Sequence, residues 1–345
     1  MNAAPHDTRR ALAAVAIALL AALFFTFTYV LNRAIASDGG HWAWTASLRY
    51  LLTLPMLLPL MRWQGGIAPV WRALRAHPLA WLSYSGLGFV LFYVLLAYAA
   101  GSGPSWLVAG SFQFTVIAGM LCAPFVYRHA TVGDVRRRIP RAALGVGVLI
   151  LAGVLLLQFG HARGTLDRAG WIALACVLGS AVLYPLGNRM LLLHLERSGE
   201  TLNATQRVFG MTLASQPLWW LVAAFAWQQA GAPSASQLWL AAGVALSAGV
   251  IATILFFQAT GMVRDNPVAL GAAEAMQAAE LLFATLLGVT FLHEPWPQGI
   301  AVWGALLVVA GILAFAWVVA RPRAAGEVGV DAMCDPHALR SDRGA

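Results

Sequence analysis

Long apolar runs separated by short polar segments organise the whole chain. They lie near residues 11–33, 45–61, 81–100, 105–127, 142–160, 170–193, 207–227, 237–260, 268–292 and 299–320. A hydrocarbon core about 30 Å thick takes about 20 apolar residues per helical crossing, so each run is predicted to be a membrane-spanning helix. Backbone exposed to lipid must satisfy its own hydrogen bonds, which leaves helices as the structure for such runs. The expected fold is an all-α polytopic membrane protein of ten transmembrane helices. Residues 1–10 form a cytoplasmic N-terminus, 11–160 a first five-helix repeat and 170–320 a second. Residues 321–345 are rich in Gly, Ala and charge with little to bury, and are expected to be a disordered tail. The first run is too long for a signal-peptide core and others follow it, so it reads as a retained anchor.

Composition agrees with this pattern. Hydrophobic residues make up 60% of the 345 and charged residues 10%, against about 25% charged in a typical soluble domain. So few charges exclude a soluble protein of this size. The net charge of +8 comes entirely from arginine, since the chain has no lysine. These arginines sit in short loops between apolar runs and form no nucleic-acid-binding face. Cys122 and Cys176 lie inside apolar runs and Cys334 in the tail, so no disulfide framework is implied.

Alternation of the ten helices assigns the loops to two sides, and the arginine bias orients them. One side collects Arg9, Arg10, Arg62, Arg72, Arg75, Arg128, Arg136, Arg137, Arg138, Arg141, Arg189, Arg197, Arg207, Arg264, Arg321 and Arg323. The other holds Arg33, Arg49, Arg163 and Arg168. Both termini are therefore predicted to be cytoplasmic. Trp42, Trp44, Trp63, Trp81, Trp106, Trp171, Trp239 and Trp296 fall near predicted helix ends, where amphipathic rings favour headgroup depth.

A repeat runs through the chain. Ala46, Arg49, Pro59 and Leu60 recur as Ala204, Arg207, Pro217 and Leu218, at an offset of 158. The stretch Leu149–Leu155 recurs at the same offset as Leu307–Leu313, Asn32-Arg33 is echoed by Asn188-Arg189, and Pro104 by Pro267. Five helices per copy would put the second copy upside down relative to the first. Such inverted-topology repeats, in secondary transporters, place the substrate site near the midplane between the halves. Asn32, Arg33 and Arg49 would then face one side of the membrane, and Asn188, Arg189 and Arg207 the other, as gating or structural polar groups around one cavity.

Two acids sit deep in an apolar run, Glu274 and Glu280, both in the ninth predicted helix. A charged group at the bilayer centre costs about 2.5–3.5 kcal/mol on insertion scales and by default marks a functional site. Both are candidate proton- or substrate-binding residues; the competing structural role is an ion pair with an arginine. Six residues at about 100° each set them roughly 120° apart around the helix, so they need not share a site. Gln113, Gln277, Tyr184, Trp219 and Trp220 are candidate cavity-lining groups, and aromatic faces attract organic cations. Arg49 and Arg207 sit just inside their helices, where snorkelling to water is as good a reading as substrate contact. Pro55, Pro59, Pro124, Pro185 and Pro217 permit bends within spans. No Walker loop, nucleophile elbow or zinc motif is present in the sequence. The chain therefore reads as neither an enzyme nor an ATP-driven pump, with no cofactor and no metal site.

Asn32-Arg33, Gly39-Gly40-His41-Trp42-Ala43-Trp44 and Ser47-Leu48-Arg49-Tyr50 resemble the multidrug resistance efflux transporter family of the drug/metabolite transporter superfamily. Gln206-Arg207 and the run from Glu274 through Gln277 to Glu280 agree, and Thr285–Gly311, with His293-Glu294-Pro295, is similar to the closing helices of an EamA-type repeat. The resemblance covers about residues 10–320. It implies a bacterial inner-membrane carrier that exports small molecules, drugs or metabolites, cationic or amphipathic, in exchange for protons or down a gradient. The small four-helix exporters of the superfamily carry a glutamate in their first helix, whereas the first helix here has no acid. Glu274 and Glu280 take that place by position alone. With both repeats on one chain, a monomer can suffice. An uncoupled metabolite or amino-acid facilitator and a lipid or polyprenyl-carrier flippase remain as competing readings.

Overall fold

The computed structural model describes residues 3–102, 105–127, 141–159, 167–291, 296 and 298–320, and the backbone alone at positions 3–7, 29, 33, 36, 37, 105, 106, 159, 288 and 291. Pro104, Arg128, Arg136, Arg137, Arg138, Arg163, the segment His293-Glu294-Pro295 and the tail after Ala320 lie outside the described residues.

Eleven helical elements follow one another, and no strand occurs among the described residues. They are α1 (Ala3–Ser37), α2 (Trp42–Trp63), the short α3 (Ala68–Ala76) and α4 (Pro78–Ser102). Next come α5 (Ser105–Phe112, resuming as Thr115–Val126), α6 (Arg141–Phe159), α7 (Arg168–Ser198) and α8 (Ala204–Ala230). The last three are α9 (Ala235–Met262), α10 (Pro267–Ala275, running through Met276–Ala278 into Ala279–Phe291) and α11 (Ile300–Ala320). All ten long helices coincide with the predicted spans. Nine of them are long and apolar enough to cross a membrane. The exception is α2, which carries Arg49 and Arg62 and buries a polar stretch, Thr45, Ser47, Arg49 and Thr53, against other helices. This multi-pass membrane protein buries the polar first half of α2 and exposes Leu58 in its second half.

The ends follow local chemistry. Asn203 and Gln206 form a reciprocal capping box at the start of α8, satisfying two backbone donors that a helix start leaves open. At Gly199, φ of 70° stops α7 beyond the predicted boundary of 193, a left-handed stop that glycine takes without steric cost.

Packing follows one pattern twice. α1 packs on α9 and α10, and α7 packs on α4 and α5. α2 packs on α9, and α8 on α4, while α2 meets α8, α5 meets α10 and α6 meets α11. The irregular turns also come in pairs. A wide π-type turn interrupts α4 at Gly86–Leu91 and α9 at Ala245–Ala252. α5 breaks at 113–114, and α10 tightens into a 3₁₀ turn at Met276–Ala278. Such interruptions inside long helices mark hinges and functional sites. Small residues allow close approach: a Cβ on Gly88 in the α4 turn would lie 2.9 Å from the Gly187 Cα of α7, and one on Gly153 of α6 would lie 2.8 Å from the Gly304 carbonyl oxygen of α11.

Two sequence expectations need correction. The polar segment between α2 and α4 is not a plain loop, because Ala68–Ala76 forms a helix that buries Val70 and Ala73 and leaves Trp71 and Arg75 outside, the guanidinium 4.8 Å from the indole. Three end tryptophans do not sit at headgroup depth facing lipid: Trp81 is fully buried, Trp44 is buried and donates to the Gly231 carbonyl at 2.8 Å, and Trp42 faces inward. Trp63, Trp171, Trp239 and Trp296 are exposed, as a border residue should be.

Candidate functional site

A cavity of about 220 Å³ lies between the two helix sets. Its wall comes from the C-terminal half of α1 (Phe25, Thr28, Asn32), the start of α2 (Trp42, Thr45, Arg49), the end of α4 (Phe92 to Gly101), the start of α5 (Val108 to Phe112), Tyr184 of α7, and Gln277 and Glu280 of α10. Polar groups are few among aromatic and aliphatic ones, which is the usual make-up of a small-molecule site.

Arg49 does not snorkel. Its guanidinium is buried and sits 4.2 Å from the centre of the Tyr93 ring and 5.3 Å from that of Tyr50. Ring faces attract a cation, more so when it is desolvated, and here they hold the group beside the cavity. Asn32 donates through Nδ2 to the Tyr93 hydroxyl at 3.3 Å, so α1 and α2 converge on the same ring. Glu280 enters from the opposite wall in the first turn of the last α10 segment, and its backbone carbonyl accepts from Thr26 Oγ1 at 3.3 Å. A cation and an acid thus border one cavity.

Below the cavity runs an aromatic layer. Trp219 stacks on Tyr50 with ring centres 4.5 Å apart and planes within 9°. Tyr184 stacks on Phe256 at 5.5 Å and meets Phe92 at 4.8 Å. Past that layer lies an ion pair. Arg189 of α7 donates through Nε and Nη2 to the two carboxylate oxygens of Glu274 of α10, at 2.9 and 2.7 Å. Both side chains are buried. Gly119 of α5 makes room for this pair, since a Cβ there would run into the carboxylate. Two helical turns separate Gly119 from the cavity-lining Phe112, about 10 Å along α5, so the pair lies away from the cavity wall.

The candidates of the sequence reading therefore separate. Glu280, Gln277, Tyr184, Asn32 and Arg49 come together on the cavity. Glu274 and Arg189 are joined to each other, away from the cavity wall. Arg207 is also buried away from that wall, donating through Nη2 to the Phe257 carbonyl at 2.6 Å, and Asn188 donates to Thr260 Oγ1 at 3.2 Å. Gln113 is fully buried at the α5 break and does not line the cavity. Trp219 belongs to the aromatic layer, whereas Trp220 is 64% exposed on the outer face of α8. The side chain of Arg33 lies outside the described residues. Sequence reasoning missed Trp42, Tyr93, Phe92 and Thr28 as wall residues. Nothing in an apolar run tells which of its aromatic rings will turn inward.

Residues 12–321 match the profile of the family described as "EmrE: Putative multidrug resistance efflux transporter". The chain belongs to that family. Relatives are similarly uncommitted in name. "Uncharacterized protein YjlA" of Bacillus subtilis (strain 168) is 41% identical over 304 residues, 87% of this chain and 93% of the relative. An "Uncharacterized 42.1 kDa protein in intracellular alkaline protease 3'region" of Shouchella clausii is 37% identical over 278 residues, 80% of this chain and 72% of the relative. A solved structure titled "Crystal structure of protein" superposes with a TM-score of 0.62 over 90% of this chain and 99% of its own length, at 17% identity. That likeness concerns the fold alone. Membership of an efflux family agrees with a buried cavity walled by many helices, and it points to a small-molecule transporter.

Proposed function

We propose that this efflux-family member is a secondary transporter exporting small amphipathic or cationic molecules by alternating access, in exchange for protons, across a bacterial inner membrane. The observation that carries the reading is a single cavity bordered by Arg49 and Glu280, and the buried Arg189–Glu274 pair is read as the seal on its far side. A carrier needs a site reachable from one side while the other is sealed, and it needs a seal that can open. A carboxylate on the wall of a cavity, as Glu280 is, stands where a solute and a proton can reach it in turn. Five crossings in each half, the twice-used packing pattern and the paired helix interruptions support reading the halves as inverted copies. On the arginine distribution both termini sit in the cytoplasm and the cavity opens to the opposite side. One chain supplies both halves, so a monomer is the expected working unit.

The test is flux. Purified protein in liposomes, given a pH gradient, is expected to accumulate members of a panel of organic cations and amino acids. The Glu280→Gln variant is expected to bind but not to accumulate them. Gradient-driven uptake unchanged in the glutamine variant would remove Glu280 from the coupling, and no movement of any solute by intact protein would overturn the transporter reading.

A further inference from the structure

Three residues on the sealed side are counterparts of residues on the cavity wall, two by the repeat in sequence and one by its place at a helix interruption. Arg207 corresponds to Arg49, Asn188 to Asn32, and Gln113, at the interruption of α5, to Gln277 at the interruption of α10. Each of the three is buried, and each holds polar atoms without a hydrogen-bond partner among the described residues: Nε and Nη1 of Arg207, Oδ1 of Asn188, and both amide atoms of Gln113. A buried polar group without a partner is costly, and native structures keep few of them. Arg49 and Asn32 also keep one unpartnered atom each, Nε and Oδ1, but all three counterparts border a cavity that a solute can enter, and Arg207, Asn188 and Gln113 do not.

We infer that Arg207, Asn188 and Gln113 form a second, latent solute-binding face, which opens and becomes hydrated when the Arg189–Glu274 seal parts. The inference rests on the transporter reading above and on the duplication. It adds a site on the sealed side with its own residues. The ligand chemistry follows from the donors. Arg207 offers unused N–H groups, as Arg49 does with its unpartnered Nε. The sealed side's own acid, Glu274, is already held by Arg189. The latent face therefore takes the hydrogen-bond-accepting end of the solute, an oxyanion or carbonyl, which Arg49 holds while the present cavity is open. Gly261 leaves space for this role: a Cβ there would lie 2.5 Å from the Arg207 Nη2, so the guanidinium has room only because α9 is bare at that point.

Side-specific cysteine labelling tests this without knowing the solute. In a background with Cys122, Cys176 and Cys334 replaced by serine, single cysteines are placed by Gln277→Cys, Gln113→Cys and Asn188→Cys. Each is reacted with a membrane-impermeant maleimide in right-side-out and inside-out vesicles, and the mass shift is followed. The cysteine at 277 is expected to label from one face. Those at 113 and 188 are expected to label from the other, at least about tenfold more slowly, as access through a minor state of 0.1–10% would give. Adding Glu274→Gln is expected to speed labelling at 113 and 188 and slow it at 277. Position 188 carries the test if the variant at 113 fails to elute as a monodisperse protein. No labelling at 113 and 188 from either face in both backgrounds, or labelling from the same face as 277, would overturn the latent face. Proton-driven flux is measured separately, so a failure of transport and a failure of the second face are told apart.

Discussion

Arg49 and Arg207 stand 158 residues apart at matching places in the two halves of the chain, yet their surroundings differ. Arg49 lies over Tyr93 beside a cavity, and Arg207 is buried against Gly261 and donates to the Phe257 carbonyl, away from that cavity. The same comparison separates Asn32 from Asn188 and Gln277 from Gln113. Similar sequence in two places has thus taken two surroundings, one beside a cavity and one away from it. What distinguishes them is Glu274. Arg189 has a buried carboxylate to grip, and residues 110 and 111, near the matching place in α5, are Gly and Ser. The halves share a packing pattern, and on the Arg207 side a buried ion pair, Arg189–Glu274, joins α7 to α10.

The largest expected effect breaks that pair. Arg189→Ala leaves Glu274 buried and unpaired, a change that typically costs about 3–5 kcal/mol. A large fall in the thermal unfolding midpoint in detergent checks it. Replacing both partners by methionine should recover most of the loss, because paired removal leaves no stranded charge. An equal loss in the double variant would mean that packing, and not charge, closes this side.

Next comes the aromatic layer that separates the two regions. Trp219→Ala removes a fully buried ring stacked on Tyr50 and should cost about 3–5 kcal/mol. Trp220→Ala, on the exposed face of the same helix, should change the unfolding midpoint little. Similar effects at both positions would show that the layer is not a structural divider. A smaller effect is expected from Gly119→Ala, whose new methyl group meets the Glu274 carboxylate. Overpacking of this kind costs about 1–3 kcal/mol, and raised labelling of the sealed side would accompany it.

The sequence revealed the framework better than the difference between the halves. Ten spans could be located because each must carry about 20 apolar residues, a demand that ignores what the helix packs against. The repeat was visible for a related reason, since Arg49/Arg207 and Pro59/Pro217 keep their spacing. Glu274 and Glu280 stood out by cost alone, and their angular separation correctly allowed two environments. Their partners were not legible. Arg189 is adjacent to Asn188 in a motif shared with Asn32-Arg33, and nothing local says that it meets an acid from a helix 85 residues away. The helix Ala68–Ala76 left a readable signal, with Trp71, Arg72 and Arg75 on one face of a short amphipathic segment. Such a pattern marks an interfacial helix and is overlooked when only long apolar runs are sought. Which rings line the cavity depends on helix rotation, and uniformly apolar helices leave that rotation unmarked in the sequence.

The finest contrast between the two regions is carried by the glutamines. Gln277 borders the cavity, so its amide can be met by solvent or solute, while Gln113 is fully enclosed with neither amide atom paired. An unpaired buried group costs about 1–3 kcal/mol, and an apolar group of similar shape avoids that cost. Gln113→Met should therefore raise the unfolding midpoint, by the equivalent of about 1 kcal/mol, whereas Gln277→Met should not. If the closed side opens during transport, the stabilised variant should also move solute more slowly, because methionine favours the sealed arrangement and offers nothing to the opened one. A stabilised variant with undiminished flux would keep the energetic asymmetry between the halves and remove Gln113 from the working cycle.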